Sequence, residues 1–310
     1  MGPTRDHVGK RHRPQGLTTE LLVAGSIALD TLEGQFGTIR DELGGSALFF
    51  ALAASLIMPV RVVAPMGRES VEHVREVIGS RPIDISLVDV LDAPTFRWRA
   101  RQQHGRNVDL GSRDSIYDRW EPRVPAEFAG WAFAGSVRPD RQAQVMKALS
   151  GAEMLAADAM LSYVHARTPD AREVLSHSKW YFCNHEEFAA LGGDDPEAFR
   201  QRWSLEGLVV KAGARGVTAY TEGGAVHVPA LTSRPVVDTT GAGDAVAAGM
   251  LAHWATVGGE QSRLAESLMW GVACASITIS DVGLRGIAVA TRRQLDERVR
   301  EVREWMARES

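Results

Sequence analysis

Hydrophobic and polar positions along the chain form two patterns that alternate with each other. Short apolar runs predict buried strands at 20–25, 60–64, 131–134, 154–157, 180–183 and 208–211. Apolar residues at helical spacing predict helices at 46–55, 70–78, 140–149, 170–176 and 196–203, and three longer helices at about 243–256, 263–280 and 291–308. Strands that alternate with helices in this way are typical of an α/β fold, in which helices cover both faces of a mostly parallel sheet.

Two segments, 31–41 and 95–103, do not follow that alternation. In the second segment apolar and charged residues alternate one by one, with Phe96, Trp98 and Ala100 on one face and Arg97, Arg99 and Arg101 on the other. A period of two indicates a strand that is exposed on at least one side. Such strands form either a small lid over a cleft or ordinary edge strands, and the pattern by itself favours neither.

The composition is that of a globular enzyme, with 310 residues of which 45% are hydrophobic and 24% are charged. The formal net charge of -4 gives no electrostatic reason to expect nucleic acid as a partner. No apolar run approaches the roughly 20 residues that span a bilayer, so we expect no membrane partner. Cys183 and Cys274 lie in apolar stretches, which favours two buried free thiols in a reducing cytoplasm over one disulfide.

Residues 1–18 are basic, contain glycine and proline, and show no periodicity, which predicts a disordered tail. They have neither the apolar core nor the cleavage site that is typical of a signal peptide. His7 and His12 are weak candidate metal ligands, but a solvated tail is the favoured interpretation.

The segment 235–250 carries the candidate chemistry, because an extended apolar run enters a small-residue turn and a helix follows. Gly241 and Gly243 let the backbone approach a ligand, and the N–H groups of the turn and of the first helical turn favour an anion such as phosphate. Asp244 follows directly. A carboxylate there suits a base that accepts a proton from an attacking hydroxyl, as phosphoryl transfer requires. The alternative is an ordinary helix cap.

Two better-known nucleotide loops are absent from the sequence. No G-x-x-x-x-G-K-[ST] motif occurs, and Val246 stands where G-x-G-x-x-G would need its third glycine. The turn therefore belongs to neither type, and a dinucleotide-dependent oxidoreductase lacks its fingerprint here.

Further motifs stand in a fixed order before this turn. They are V-A-G-S at 23–26 followed by Asp30, G-G-S-A at 44–47, N-H-E-E at 184–187 and V-V-K-A-G-A-R-G at 209–216, and they lead to D-T-T-G-A-G-D at 238–244. Together they resemble the ribokinase-like (PfkB) family of carbohydrate and nucleoside kinases. The resemblance implies a three-layer α/β sandwich with a mostly parallel central sheet and a small β lid. It also implies one kinase domain over 19–310, with lid strands from about 31–43 and 94–112.

The activity that the resemblance implies is ATP-dependent phosphorylation, with Mg²⁺, of a hydroxyl on a sugar or a sugar-containing small molecule. A nucleoside kinase with an adenosine-like acceptor is the alternative on the same fold, and a catalytically silent ligand-binding sensor is the alternative from another class. Lid strands often mediate pairing in this family, so a homodimer through the lid is one assembly that the resemblance implies.

Site roles also follow from the resemblance. Asp244 would be the catalytic base, and the backbone of Gly241, Ala242 and Gly243 would form the anion hole. The acceptor would be bound by Asp30, Gly44, Gly45 and Trp98. The nucleotide side would consist of Asn184, Lys211, Gly213, Gly216 and Ala275, with Glu187 acting on Mg²⁺ through water. Alternatives stay open for some of these: a turn former for Asp30, a helix cap with a first-turn charge for the N-x-x-E pair, and a solvated strand end for Lys211.

Three departures from the family pattern bear on these expectations. Ala245 and Val246 stand where a larger pair is usual, and Arg68 replaces a usual acidic residue. The segment 280–286 matches only loosely the loop that completes a monovalent-cation site in some members, which leaves a potassium requirement open.

If Arg97 or Arg99 pointed into the cleft, the acceptor would carry a phosphate or carboxylate. Solvent-facing arginines, with aromatic residues covering the cleft, indicate a neutral acceptor and are the favoured arrangement.

Overall fold

The computed structural model describes residues 20–103 and 105–309. The predicted tail at 1–18, with its two histidines, lies outside the described residues. Within those residues, no helix is both long enough and apolar enough to cross a membrane.

The described residues form thirteen strands. They are β1 (Leu21–Ala24), β2 (Ala28–Gly34), β3 (Gly37–Gly44), β4 (Val60–Gly67), β5 (Ile83–Leu91), β6 (Arg97–Gln103), β7 (Arg106–Arg113), β8 (Trp131–Ala134), β9 (Met154–Asp158), β10 (Trp180–Asn184), β11 (Gly207–Lys211), β12 (Val217–Thr221) and β13 (Gly224–Val228). The predicted apolar runs coincide with β1, β4, β8, β9, β10 and β11. These strands are buried on both faces, so their sequences are apolar at successive positions.

The α-helices pack around these strands. They are α1 (Ser46–Ala54), α2 (Val71–Ile78), α3 (Pro139–Ala148), α4 (Leu161–Ala166), α5 (Thr168–Ser176), α6 (His185–Ala190), α7 (Pro196–Arg202), α8 (Ala242–Thr256), α9 (Leu264–Thr278), α10 (Arg285–Val289) and α11 (Arg292–Glu309). The three long C-terminal helices of the prediction are α8, α9 and α11. The short helices α4, α6 and α10 were not predicted, since five or six residues are too few to show a helical period.

The nine-stranded main sheet has the order β13-β12-β11-β10-β9-β8-β1-β4-β5. Every neighbouring pair from β11 to β5 is parallel, whereas β12 pairs antiparallel with both β11 and β13. One hydrophobic core lies under α1, α8, α9 and α11, and a second lies on the opposite face under α3, α5 and α7. The predicted three-layer α/β fold with a mostly parallel sheet is therefore confirmed. Cys183 and Cys274 are buried free thiols within these cores.

Four strands form a separate sheet in the order β3-β2-β6-β7, which we call the lid. Its own small core consists of Leu32 and Ala100, packed against Val282 in the loop after α9. Both segments that broke the alternation in the sequence belong to it, so the smaller sheet of the predicted fold class is confirmed. The exact division of the chain at 18/19 stays a prediction.

Candidate active site

A cavity of about 1000 Å³ opens beside residues that end parallel strands of the main sheet and is covered by the lid. Open α/β sheets bind ligands at the carboxyl ends of their strands, so this is the expected place for a site. Most of the residues predicted for the site line this cavity: Asp30, Gly45, Trp98, Asn184, Glu187, Lys211, Gly213, Gly241, Gly243 and Asp244. The other four, Gly44, Ala242, Gly216 and Ala275, do not line it.

The turn at the start of α8 has the geometry of an anion site. Gly241 adopts a left-handed conformation with φ 73° at the helix N-terminus, and no side chain caps that end of the helix. A Cβ on Gly241 would lie 2.1 Å from the ring of Phe49, so only glycine fits there. The Ala242 N–H makes a long backbone hydrogen bond to the Thr239 carbonyl at 3.3 Å. No side chain blocks the other N–H groups of the first turn of α8, and these groups and the positive dipole end of the helix can bind a phosphate.

Asp244 lies in the first turn of α8 and is partly buried at the edge of the cavity. Burial raises the pKa of its carboxyl to about 7, against the opposing effect of the Lys211 ammonium, and the charge of Glu187 adds to the increase. A base is most effective when its pKa lies near the working pH, because it is then largely ionised yet still binds a proton. The carboxyl group of Asp244 meets that condition near neutrality.

Lys211 ends β11 and directs its ammonium at the same turn. A Cβ on Gly243 would lie 2.8 Å from the Lys211 Nζ atom, which places the positive charge against the backbone that forms the anion site. Three carboxyl groups surround the ammonium, those of Glu187, Asp158 and Asp244. Burial acts to lower the pKa of Lys211, but these carboxyl groups raise it above its usual value. The side chain therefore stays charged, and the solvated strand end considered from the sequence does not describe it.

Asn184 and Glu187 form a capping box at the start of α6. The Asn184 Oδ1 accepts hydrogen bonds from the Glu186 and Glu187 N–H groups at 2.8 and 2.9 Å. The Glu187 Oε2 in turn accepts the Asn184 N–H at 2.8 Å. Glu187 is also buried in the cavity wall, and burial raises the pKa of its carboxyl despite the opposing Lys211 charge. The pair thus caps the helix and faces the cavity at once.

Asp30 lies at the opposite side of the cavity, on the lid strand β2. Its side chain is only 3% exposed, and its Oδ1 has no hydrogen-bond partner. Burial raises the pKa of this carboxyl to about 8, and the charges of Asp238 and Glu42 add to the effect. A Cβ on Gly44 would lie 2.3 Å from the Asp30 Oδ2, and a Cβ on Gly45, where φ is 99°, would lie 2.3 Å from the Ser26 carbonyl oxygen. Glycine is therefore required at 44 for the Asp30 carboxyl to fit and at 45 for the backbone to pass Ser26, although only Gly45 lines the cavity.

The lid segment 96–101 presents aromatic residues to the cavity and arginines away from it. Phe96 and Trp98 line the cavity. Arg97 is paired with Asp41, and Arg99 and Arg101 both reach Glu33, at 3.9 and 2.7 Å. None of these three arginines is among the described residues that line the cavity. The favoured arrangement of the sequence analysis is the one observed.

Several residues of the cavity were not predicted. Asp158, which ends β9, is buried with an unpartnered Oδ1, and burial together with the Asp244 charge raises its pKa well above the usual range. It follows directly on the predicted strand at 154–157, so its place at a strand end could have indicated it. Arg106 and Asn107, at the start of β7, also line the cavity. Arg106 follows the arginines at 97, 99 and 101 in the predicted lid segment, and this group of arginines was a sequence signal for the acceptor site. Nothing in the local sequence distinguishes Asn107, because it reaches the cavity only through the fold of the lid.

The carboxyl groups do not form a direct metal centre. Among residues 20–103 and 105–309, no three His, Cys, Asp or Glu side chains are placed to hold a metal ion together. Asp158 and Glu187 nevertheless lie on the same side of the cavity as Lys211 and the turn, where a phosphate chain would lie.

Known proteins resemble the chain in sequence and in fold. It is 27% identical over 248 residues to the cytidine kinase of Thermococcus kodakarensis, and the match covers 76% of this chain and 88% of that protein. It is 30% identical over 269 residues to the ATP-dependent ribose-1-phosphate kinase of Halopiger xanaduensis, covering 83% of this chain and 87% of the relative. The crystal structure of the nucleoside kinase of Methanocaldococcus jannaschii superposes with a TM-score of 0.73 at 19% identity, over 92% of this chain and 100% of that one.

The family itself is identified by a separate comparison. The sequence pattern described as pfkB family carbohydrate kinase matches residues 127–290, which is more than half of the chain. This stretch holds the N-x-x-E motif, Lys211 and the turn with Asp244, and the two kinase relatives match larger shares of the chain, 76% and 83%. The chain belongs to the pfkB family of carbohydrate kinases, and it is an ATP-dependent kinase that phosphorylates a hydroxyl group of a sugar or nucleoside.

Proposed function

We propose that this kinase phosphorylates a neutral acceptor, with a nucleoside favoured over a free sugar, and that Asp244 is the catalytic base. The observation that carries the proposal is the lining of the acceptor side of the cavity. It combines the buried carboxyl of Asp30, whose Oδ1 has no hydrogen-bond partner, with the aromatic side chains of Phe96, Trp98 and Tyr163. A short buried carboxyl group suits the vicinal hydroxyls of a ribose, and flat aromatic surfaces suit a base.

The charges at the cavity argue against a phosphorylated acceptor. Among the described residues, the lysine and arginine side chains that line the cavity are those of Arg106 and Lys211. The Arg106 guanidinium donates to Glu186 at 2.8 Å, and Lys211 is surrounded by carboxyl groups at the turn. An acceptor phosphate placed near Asp30 would therefore meet a carboxyl group without a free cation, and burying an unpaired charge is costly.

In the proposed reaction, the acceptor hydroxyl attacks the terminal phosphorus of ATP while Asp244 takes up the hydroxyl proton. The bond between that phosphorus and the bridging oxygen breaks, and ADP leaves. The N–H groups of Gly241, Ala242 and Gly243 donate to the oxygens of the transferred group, on which negative charge is concentrated. Lys211 supplies a fixed positive charge beside these donors. Ala242 does not line the cavity, and its N–H would have to exchange its long hydrogen bond to the Thr239 carbonyl, 3.3 Å, for one to the transferred group.

The nucleotide side of the cavity fits a phosphate chain with a divalent cation. Asp158 offers a buried carboxyl oxygen without a partner, and Glu187 lies beside it. We propose that these two carboxylates hold Mg²⁺ largely through its water molecules, since Mg²⁺ gives up its hydration shell reluctantly. When bound, the ion would neutralise charge on the phosphates. Gly213 would lie along the nucleotide. Gly216 and Ala275, outside the cavity lining, would act only through the packing of the adenine end.

The test is acceptor-dependent formation of ADP from MgATP across a panel of cytidine, adenosine, inosine, ribose, fructose and ribose-1-phosphate. We expect the highest kcat/KM with a nucleoside and the lowest with ribose-1-phosphate. Trp98→Ala should raise the KM for a nucleoside more than that for ribose, because only the nucleoside has a base to stack. A preference for ribose-1-phosphate would contradict the neutral acceptor. No turnover with any compound would favour the silent sensor.

The wider assignment has two further parts. Two buried free thiols suit a reducing compartment, so a cytoplasmic location remains part of the proposal.

Pairing of two chains through the lid would join outer faces that carry Arg99, Arg101 and Glu33, which are charged rather than apolar. Such a dimer should dissociate as salt is raised, because exposed charges are screened. Light scattering at low and high salt tests it, and a particle of monomer mass at low salt would refute it.

A further inference from the structure

The start of β7 reaches across the cavity and bonds to the catalytic turn. The Asn107 Nδ2 donates to the Thr240 Oγ1 at 2.9 Å. Both residues line the cavity, one on the lid and the other directly before Gly241. The hydrogen bond, which we call the lid–turn bond, therefore joins two parts of the chain on either side of the space in which substrates would lie.

Thr240 also hydrogen-bonds to the buried carboxylate of Asp238. Its Oγ1 donates to the Asp238 Oδ1 at 2.7 Å, and its N–H donates to the same oxygen at 3.0 Å. The Asp238 Oδ2 accepts the Gly283 N–H at 2.9 Å. Asp238 is only 1% exposed, so these bonds satisfy a charge that would otherwise be costly to bury. Because the Thr240 hydroxyl is used as donor toward Asp238, only its lone pairs face Asn107, and the lid must supply the hydrogen.

A second contact ties the other edge of the lid to the same group of residues. Glu42 on β3 accepts two hydrogen bonds from the Arg285 guanidinium, at 2.9 and 2.7 Å. Arg285 follows closely after Gly283, which donates to Asp238. The two edge strands of the lid thus both contact this part of the chain, β7 at Thr240 and β3 at Arg285, two residues after Gly283.

We propose that Asn107 is a positioning residue for phosphoryl transfer, which acts through Thr240 to hold the N–H groups of Gly241 to Gly243 in place when the lid is closed. The inference rests on the proposed function of the turn. Thr240 immediately precedes Gly241, whose φ of 73° sets the direction of the following N–H groups. A hydrogen bond that orients Thr240 therefore limits rotation at the first residue of the anion hole. When the lid opens, the bond breaks and the turn loses one of its restraints.

Asn107→Asp is the sharpest variant, because it keeps the size of the side chain but replaces the donor by an acceptor that faces another acceptor. We expect kcat to fall about five- to tenfold, the value of one hydrogen bond, with the KM for ATP changed less than twofold. Thr240→Val should give a similar or larger loss, and Thr240→Ser, which keeps the hydroxyl, should restore most of the activity. Arg99→Gln, on the outer face of the lid, is the control and should leave kcat unchanged.

The double variant separates a positioning role from a general effect on the lid. If Asn107 acts through Thr240, adding Asn107→Asp to Thr240→Val lowers kcat no further. If the two losses multiply, the inference is wrong. Cytidine serves as the acceptor if it is turned over, or the best compound of the panel otherwise.

Hydrogen exchange provides a readout that does not need catalysis. Asn107→Asp should speed exchange of backbone amides in peptides covering 238–245, while peptides of the β12–β13 hairpin keep their wild-type rates. Faster exchange without a change in kcat would show a structural bond only, and unchanged exchange would overturn the contact itself. Because this measurement is made without acceptor, it still tests the lid–turn bond if the proposed kinase acceptor is wrong.

Discussion

Replacing Asp244 by asparagine tests the proposed chemistry most directly. Asparagine has almost the same shape but cannot take up the proton of the acceptor hydroxyl. A positioned general base contributes roughly 10²- to 10⁴-fold to the rate, so we expect kcat to fall by that factor, or about 3–5 kcal/mol in the activation free energy. Nucleotide binding should change little, because Lys211 keeps Glu187 and Asp158 beside it when the third carboxylate is lost.

The pH dependence of the wild-type enzyme gives a second, independent part of the same prediction. The pKa of Asp244 lies at about 7, raised mainly by burial, and the base acts only when it is ionised. The rate should therefore fall about tenfold for each pH unit well below 7 and level off above about 8. The asparagine variant should lack this rise, since it has no carboxyl group to ionise.

Two assays decide the matter. Acceptor-dependent ADP formation gives kcat from about pH 5.5 to about pH 9, and calorimetry gives the affinity for MgATP. Asp92→Asn, the same substitution at an exposed position, is the control and should behave as wild type. If Asp244→Asn keeps kcat within threefold, or if the wild-type rate is flat across neutral pH, Asp244 is not the base.

Three further predictions concern the surroundings of the site. Because burial raises the pKa of Asp30 to about 8, the folded protein loses stability as pH rises from about 4 to about 8. Asp30→Asn should therefore raise the melting temperature at alkaline pH and weaken acceptor binding. An unchanged melting temperature at alkaline pH would contradict the burial argument. Gly241→Ala should destabilise the fold by roughly 2–4 kcal/mol in a denaturant titration, through left-handed strain and the clash with Phe49. Gly105→Ala, with φ 72° but no atom within 4 Å of the new Cβ, should cost only about 1 kcal/mol, and equal losses would rule out the clash. Since Asp238 already accepts three hydrogen bonds, activity should be equal in potassium and sodium chloride, and strict potassium dependence would show that a cation displaces them.

Much of the framework follows from local pattern. Strands buried on both faces appear as continuous apolar runs, so β1, β4, β8, β9, β10 and β11 were predicted close to their observed bounds. β5 was not predicted, because it lies at the edge of the sheet and its burial alternates weakly. The hairpin of β12 and β13 was likewise missed, since it departs from the parallel βα rhythm on which the prediction relied.

By itself, the sequence determined the strand–helix alternation, the glycine turn and the presence of Asp244 at its end, because backbone freedom and hydrophobic period are local properties. It also limited where Trp98 and the arginines beside it would lie, since a strand places neighbouring residues on opposite faces. Which face of the lid meets the cavity depends on the tertiary structure. It also brought Asp158 to Lys211 and Asn107 to Thr240, which are 133 residues apart. Contacts of this kind depend on how the lid and the sheet pack together, and no local pattern carries that information.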